Sequence, residues 1–334
     1  RSRSLIWEAF AWQSRQEGRV LIYAVRKAGT FVITLVLVSI LTFGVFQILP
    51  GDPVDIILGV EADPMQAAAL TKELGLDKPI MERYFDWVFG AVRGDLGNSI
   101  RYQVPVGDLL KSSLPVTASL AVLSILLTIL ISVPAAVFLA KNHRKNSAMV
   151  LSSVTQFGIA VPSFWIGILL IMLFAVQFHI LPSGDYTPFS ENPIEWLKSL
   201  ILPACSIAVG TTATIIRYLK NTILDQMGFD YVRTARSKGM TQKQVLFKHV
   251  LKNALLPAIT ILGMMIVDVL GGSVIVENVF NLPGIGHLLT SGVGNRDFPL
   301  VQGLVFYLAI TVLVINLLVD FLYTVVDPRI RVGG

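Results

Sequence analysis

One carboxylate offers chemistry in an apolar setting. Between Asn253 and Val276 the only charged side chain is Asp268. If this stretch crosses a bilayer, a charge at its middle costs about 2.5 to 3.5 kcal/mol on insertion scales, so Asp268 must face water or protein. It then either lines a pathway or bonds to another helix. Gly271, Gly272 and Ser273 follow it and, with Gly263, favour close helix packing over a ligand site. The next stretch, with Glu277, Asn278, Pro283, Gly284 and Gly286, reads as a gate just outside the bundle. Asp320 suits a structural role with Asn316 or a neighbouring helix.

Other chemistries find no support. His143, His179, His249 and His287 are scattered without metal-ligand spacing, so no metal site is expected. Cys205 is the single cysteine, which excludes an intrachain disulfide and a four-ligand zinc site. No Gly-Lys dipeptide occurs, so the phosphate-cradling loop of a P-loop ATPase is absent. An intramembrane enzyme would want a His, Ser or metal constellation at one depth, and none is visible. An ion-coupled secondary transporter would carry several intramembrane ionisable groups and broken, repeated helices, whereas Asp268 is nearly alone.

The elements that position these residues follow from composition. Of 334 residues, 54% are hydrophobic and 15% charged, and mean hydropathy is +0.68, against about 25% charged in a soluble domain. No Asp, Glu, Lys or Arg occurs in 28–51, 112–140, 146–184, 199–216 or 298–319. With 253–276 these make six runs, each long enough to supply the roughly 17 to 25 residues that a helix needs to cross a hydrocarbon core. The runs do not alternate, so an all-α integral membrane fold of six transmembrane helices is expected rather than a barrel. The amino-terminal segment 1–27 is too polar for a signal peptide and is read as a retained cytoplasmic segment ahead of a transmembrane domain at 28–334.

The net charge of +5 is explained by location rather than by nucleic acid, which is not an expected partner. Assigned to alternate sides of six spans, nineteen Lys and Arg fall on one face: six before the first span, three in 141–145, eight in 217–252 and two at the tail. Eight fall on the other. The positive-inside rule then makes both termini cytoplasmic.

Residues 52–111 lie outside and carry ten acidic against six basic residues. They punctuate as a folded cap. Asp63-Pro64 reads as N-cap and first helical residue, Gly75 as a stop, and Pro79 opens a second helix closed near Gly94. That second helix, amphipathic and aromatic, either lies at the membrane interface or meets an extracytoplasmic partner. Pro134, Pro162, Pro203 and Pro257 fall within or at the ends of spans and predict kinks.

The cytoplasmic stretch 217–252 is written as two short helices. Gly228 ends the helix leaving the fourth span, Asp230 caps the next, and Gly239 supplies the left-handed residue that stops it. Thr241 with Gln244 forms a capping box that starts the helix re-entering the membrane. Such a short helix is a knob whose ends are tied to transmembrane helices, suited to being pushed by a motor. Its residues alone are equally a basic loop obeying the positive-inside rule.

Thr234-Ala-Arg-Ser-Lys-Gly239, followed by Lys248-His-Val-Leu-Lys-Asn-Ala-Leu-Leu-Pro257, closely resembles the coupling-helix signature of permeases in the dipeptide, oligopeptide and nickel branch of ABC importers. Similar segments span the chain: Leu49-Pro-Gly-Asp-Pro53, Leu74-Gly-Leu-Asp-Lys-Pro79, Gly94-Asp-Leu-Gly97, Val276 to Gly286, Asn295-Arg-Asp297, and Asp320 through Asp327-Pro-Arg329. The resemblance implies a type I ABC importer permease fold in the inner membrane of a bacterium or archaeon. It implies a second, similar permease, two cytoplasmic ATPases that bind the ATP and Mg, and a substrate-binding protein outside; this chain itself is expected to hold no cofactor.

The wider family begins this motif Glu-Ala-Ala, where this chain has Arg233-Thr234-Ala235. Docking is therefore assigned to the whole segment containing Asp230, Tyr231, Arg233, Thr234, Ala235, Arg236, Lys238 and Gly239. Glu277, Asn278, Pro283 and Gly284 become candidates for an outer gate or binding-protein contact, and Asp268, Gly271, Gly272 and Ser273 for the pathway. Peptides are the first choice of substrate, with nickel complexes, glutathione or other small solutes behind.

Overall fold

The computed structural model describes residues 26–48, 53–59, 63–73, 75–143 and 145–326. Residues 1–25, holding most of the expected amino-terminal segment, lie outside the described residues. So do 49–52 of the Leu-Pro-Gly-Asp-Pro motif and the Asp327-Pro-Arg329 end. The described residues form helices and no strand: α1 (Arg26–Ile48), α2 (Pro53–Leu58), α3 (Pro64–Glu73), α4 (Ile80–Val92), α5 (Val106–Lys141) and α6 (Asn146–Ala160). There follow α7 (Ser163–Gln177), α8 (Pro193–Gln226), α9 (Asp230–Ser237), α10 (242–279), α11 (Ile285–Gly294) and α12 (Phe298–Val326). The chain divides into two compact units, one of residues 1–93 and 305–334 and the other of 94–304, so the outer stretch 52–111 is shared between them.

In the larger unit, residue types dictate how α5 meets α8. Ser113, Thr117, Ser124, Thr128 and Ser132 form a buried stripe of small hydroxyl residues along α5, the kind of surface that lets membrane helices approach closely. Val116, Leu120 and Ala121 share a core cluster with Leu200, Leu202, Ala204 and Ile207. Thr128 pairs with Thr211 at 2.8 Å, and Ala136 and Ala140 cluster with Leu219 and Ile223. The contacts advance together, so α5 and α8 run in the same direction. α10 runs against them, with Ala254 and Ala258 in the second cluster and Val269 and Val276 in the first.

Two parallel spans need a return between them, and α6 with α7 supplies it, bent by 105° at a break. The break follows from Pro162: the residue before a proline is pushed out of the helical region, and Val161 is extended at φ −90° and ψ 127°. The Ser163 carbonyl, in the first turn after the break, accepts a bond from Ser206 Oγ at 2.5 Å. The six expected crossings are thus five single helices and one broken pair. Pro134, Pro203 and Pro257 instead stand inside helices that continue through them.

In the smaller unit, α4 packs its Tyr84 and Trp87 on α1 and α12. Tyr84 Oη lies 2.8 Å from Ser39 Oγ, Phe43 sits edge-on to Tyr84 at 5.4 Å, and Trp87 meets Phe306 at 5.0 Å. The opposite face of α4, with Met81, Phe85, Phe89 and Val92, is exposed. The punctuation around it is as expected: Asp63 Oδ1 accepts from Met65 N at 3.1 Å, and Gly75 and Gly94 have φ of 65° and 88°. Lys78 binds Asp86 at 2.7 Å; this hydrogen bond, followed by that to Glu82, holds its ammonium pKa above the ordinary value. Asp320 has Lys27 of α1 as an ion-pair partner, the neighbouring-helix alternative expected beside Asn316.

Candidate functional site

At the end of the larger unit where α5 and α8 finish, α9 is held as a knob. Val232 and Ala235 are buried in one apolar cluster with Ala136, Ala140, Leu219, Ile223, Val245, Leu246 and Val250, so α9 belongs to the same core that joins the ends of α5, α8 and α10. Its exit is a closed turn. Gly239 has φ of 81°, its N–H donates to Arg236 O at 2.9 Å, and Met240 N–H donates to Ala235 O at 3.3 Å. This is the double bond pattern that ends a helix on a left-handed residue. Thr241 and Gln244 then form the capping box, and α10 runs through a π-helical turn, Leu246–Val250, before its long apolar part.

Asp230 differs from its expected place. The N-cap is Phe229 and makes no side-chain bond, while Asp230 is the first helical residue. There its carboxylate still complements the positive end of the helix. Tyr231 is anchored by its hydroxyl donating to Gln226 Oε1 at 2.8 Å. The outward surface presents Asp230, Arg233, Thr234, Arg236, Lys238 and Gly239, all exposed. The pair Arg233 and Asp230, 3.6 Å apart and 81% and 96% exposed, contributes little by itself in water. The surface is thus a rigid, net basic projection.

The opposite end holds two buried carboxylates. Glu277 is fully buried: Oε1 accepts from Thr117 Oγ1 at 2.8 Å, and Oε2 accepts from Gly286 N at 2.7 Å and His287 N at 3.2 Å. Thr117 Oγ1 in turn accepts from Ile285 N at 2.9 Å. The N-cap of α11 is Gly284, which has no side chain to offer. Glu277 and Thr117 therefore satisfy the first-turn N–H groups of α11 from two other helices. A Cβ at Gly284 would stand 2.8 Å from Glu277 Oε1, and one at Gly286 2.9 Å from Oε2, which is why glycine occupies both.

Glu277, expected in an outer gate or binding-protein contact, has its carboxylate committed to three donors and sealed from the surface of the chain. Gly284 is buried with it, Asn278 is half-buried, and Pro283 alone of the four is exposed. Asn278 accepts from Thr290 Oγ1 at 2.7 Å, a further tie between α10 and α11.

Asp297, also fully buried, does for the loop at 99–101 what Glu277 does for α11. It accepts from Ser99 Oγ at 2.5 Å, Ile100 N at 3.1 Å and Arg101 N at 3.0 Å, and from Leu300 N at 3.3 Å in the first turn of α12. Sequence reasoning gave it no role, although an Asp directly before a charge-free run with Pro299 at its second position is a helix-start signal. Replacing Asp297 with alanine leaves these donors unpaired in a buried site. The expected loss is about 3 kcal/mol, read as a lower unfolding midpoint in detergent.

The pathway candidates lie on α10 between these ends. Ser273 is buried, its hydroxyl donating to Leu270 O at 2.8 Å. Asp268 and Gly271 are exposed, and a Cβ at Gly271 or Gly272 would meet no atom of the chain within 4 Å. The close packing expected at these glycines therefore has no partner among the described residues.

Residues 132–332 match the family described as binding-protein-dependent transport system inner membrane component, and residues 20–121 match its N-terminal family. A putative peptide transport system permease protein of Brucella suis is 39% identical over 89% of this chain and 95% of its own length. The oligopeptide transport system permease protein AppB of Bacillus subtilis is 36% identical, over 92% and 99%. The dipeptide transport system permease protein DppB of Escherichia coli is 33% identical, over 93% and 99%. Among solved structures, an inward-facing form of the MetNI methionine ABC transporter aligns with a TM-score of 0.55 at 17% identity, over 66% of this chain and 96% of its own. An amino acid ABC transporter aligns at 0.50 and 19% identity, over 65% and 93%.

Proposed function

Because the chain belongs to the family of binding-protein-dependent transport system inner membrane components, we propose that it is one membrane-spanning permease subunit of an ATP-driven peptide importer. The relatives at 33% to 39% identity, named as peptide permeases, support the substrate class. The observation that carries the mechanism is α9: a basic projection keyed into the ends of three membrane helices and closed by Gly239. Displacing it displaces α5, α8 and α10 together, because interdigitated apolar contacts shift as a body rather than yield one at a time.

The chain has no phosphate-cradling loop of its own, so the stroke comes from two cytoplasmic ATPases that bind ATP and Mg. The excess of Lys and Arg in 141–145 and 217–252 supports a cytoplasmic position for α9 and for both termini. A second, similar permease completes the pathway, and a binding protein outside delivers the solute. ATP-driven closure of the motors draws the two knobs together, the permease pair opens outward, and the docked binding protein releases its ligand. Nickel complexes or glutathione remain alternative cargo, since delivery rather than α9 decides the solute.

The test is uptake of radiolabelled dialanine into proteoliposomes holding the chain with its second permease, ATPases and binding protein. Uptake is expected only with ATP, and is lost with ATPase subunits that bind but do not hydrolyse it. Uptake that persists with those subunits, or follows an ion gradient without ATP, contradicts the reading.

A further inference from the structure

α10 exposes one face along its apolar half. Met264, Asp268, Gly271 and Ile275 recur at spacings of four, three and four, so at about 100° per residue they fall within about 60° of one another. Met264 is 61% exposed and Ile275 53%, and Asp268 and Gly271 are exposed as well. The opposite face, with Val269, Ser273, Val276 and Glu277, is buried. Asp268 makes no hydrogen bond or ion pair among the described residues. Of the acidic and basic side chains in Ile261–Val279, the only other is Glu277, which is committed to Thr117 and α11.

Lipid cannot be what meets this face. Acyl chains offer a carboxylate near mid-span nothing, and such residues face water or a partner of opposite charge. Gly271, one turn along, leaves open space beside the carboxylate instead of a side chain. Building on the transport reading above, we propose that this stripe lines the aqueous pathway and that Asp268 selects for cations in it. Its ligand is the α-ammonium group at the amino terminus of a passing peptide. The match is one of charge: a compact ammonium loses water on entering a narrow apolar passage, and one fixed carboxylate offsets part of that loss.

Cys205 is the only cysteine, which makes the test direct. In a Cys205→Ser parent, assembled with its partner subunits in proteoliposomes, Met264→Cys and Gly271→Cys are probed with a cationic methanethiosulfonate (ethyltrimethylammonium) and an anionic one (ethylsulfonate). Both positions are expected to react. The ratio of cationic to anionic rates should fall about tenfold when Asp268→Asn is added, since side chains one turn apart feel each other's charge strongly in a confined site. In the parent carrying Asp268→Asn alone, dialanine uptake at low substrate should fall about tenfold and Asp268→Glu should restore much of it, as for a charge interaction of ordinary size. Cysteines that react with neither reagent, as they would if sealed against the second permease, or a ratio unmoved by Asp268→Asn, overturn the proposal. ATP-driven uptake by the Cys205→Ser parent is scored separately: its absence sinks the transport reading, while its presence beside an unmoved ratio sinks only the role of Asp268.

Discussion

Replacing Gly239 with valine is expected to leave ATP hydrolysis by the assembled complex running while dialanine uptake falls more than tenfold. Gly239 holds φ at 81°, a region that costs an L residue about 1 to 2 kcal/mol and a β-branched one more. A Cβ there would meet nothing within 4 Å, so the penalty is in the backbone and not in packing. The turn relaxes by giving up the bonds from Gly239 and Met240 to Arg236 and Ala235, and α9 then loses its fixed angle to α10. A motor can still cycle against a loose projection without moving the spans behind it. Gly239→Asn is the control: asparagine tolerates the left-handed region, so uptake per ATP should stay within about twofold of the parent. Valine coupling as well as asparagine would show that the turn transmits nothing.

Glu277→Ala is expected to be the most destabilising single change, by about 3 to 5 kcal/mol, because three buried donors lose their acceptor at once. Thr117, Gly286 and His287 would each lose an acceptor, and the start of α11 would come free of α10. Glu277→Gln keeps an oxygen for the backbone donors and should lose less than half as much. Gly286→Ala should approach the alanine variant, because its added carbon would press on both Val274 and the Glu277 carboxylate. Unfolding midpoints of the detergent-solubilised chain check all three, and a Glu277→Ala midpoint within a few degrees of the parent would remove Glu277 from this role.

The parts of the fold legible in the sequence are those written locally. Charge-free runs announce the spans, and Gly239 with the Thr241 and Gln244 box announces the exit of α9, because turn chemistry and capping depend on neighbours along the chain. Asp230 falls one position inside the helix instead of capping it, the usual margin at a helix end. Pro162 is legible as a break, but its size is not: the bend of 105° depends on how α7 then packs beside α8.

The roles of Glu277 and Asp297 are not legible in the sequence for a different reason. A segment with Glu277, Pro283, Gly284 and Gly286 has the composition of a surface turn. What buries it is Thr117, 160 positions earlier, and Asp297 likewise binds a loop almost 200 positions away. No periodicity connects such residues. Asp268 is the converse case, since its lack of a partner among the described residues, visible only in the folded chain, turns an anomaly in an apolar run into a functional candidate.

The central claim is that α9 is the cytosolic surface on which the motor acts. A single cysteine at Arg236, in the Cys205→Ser background, tests it most directly in sealed vesicles of the whole complex. A membrane-impermeant maleimide is expected to label it only from the cytosolic side, and a short bifunctional maleimide to join it to an ATPase subunit and halt uptake. Labelling from the external side, or full uptake with α9 cross-linked to nothing but its own chain, would contradict it.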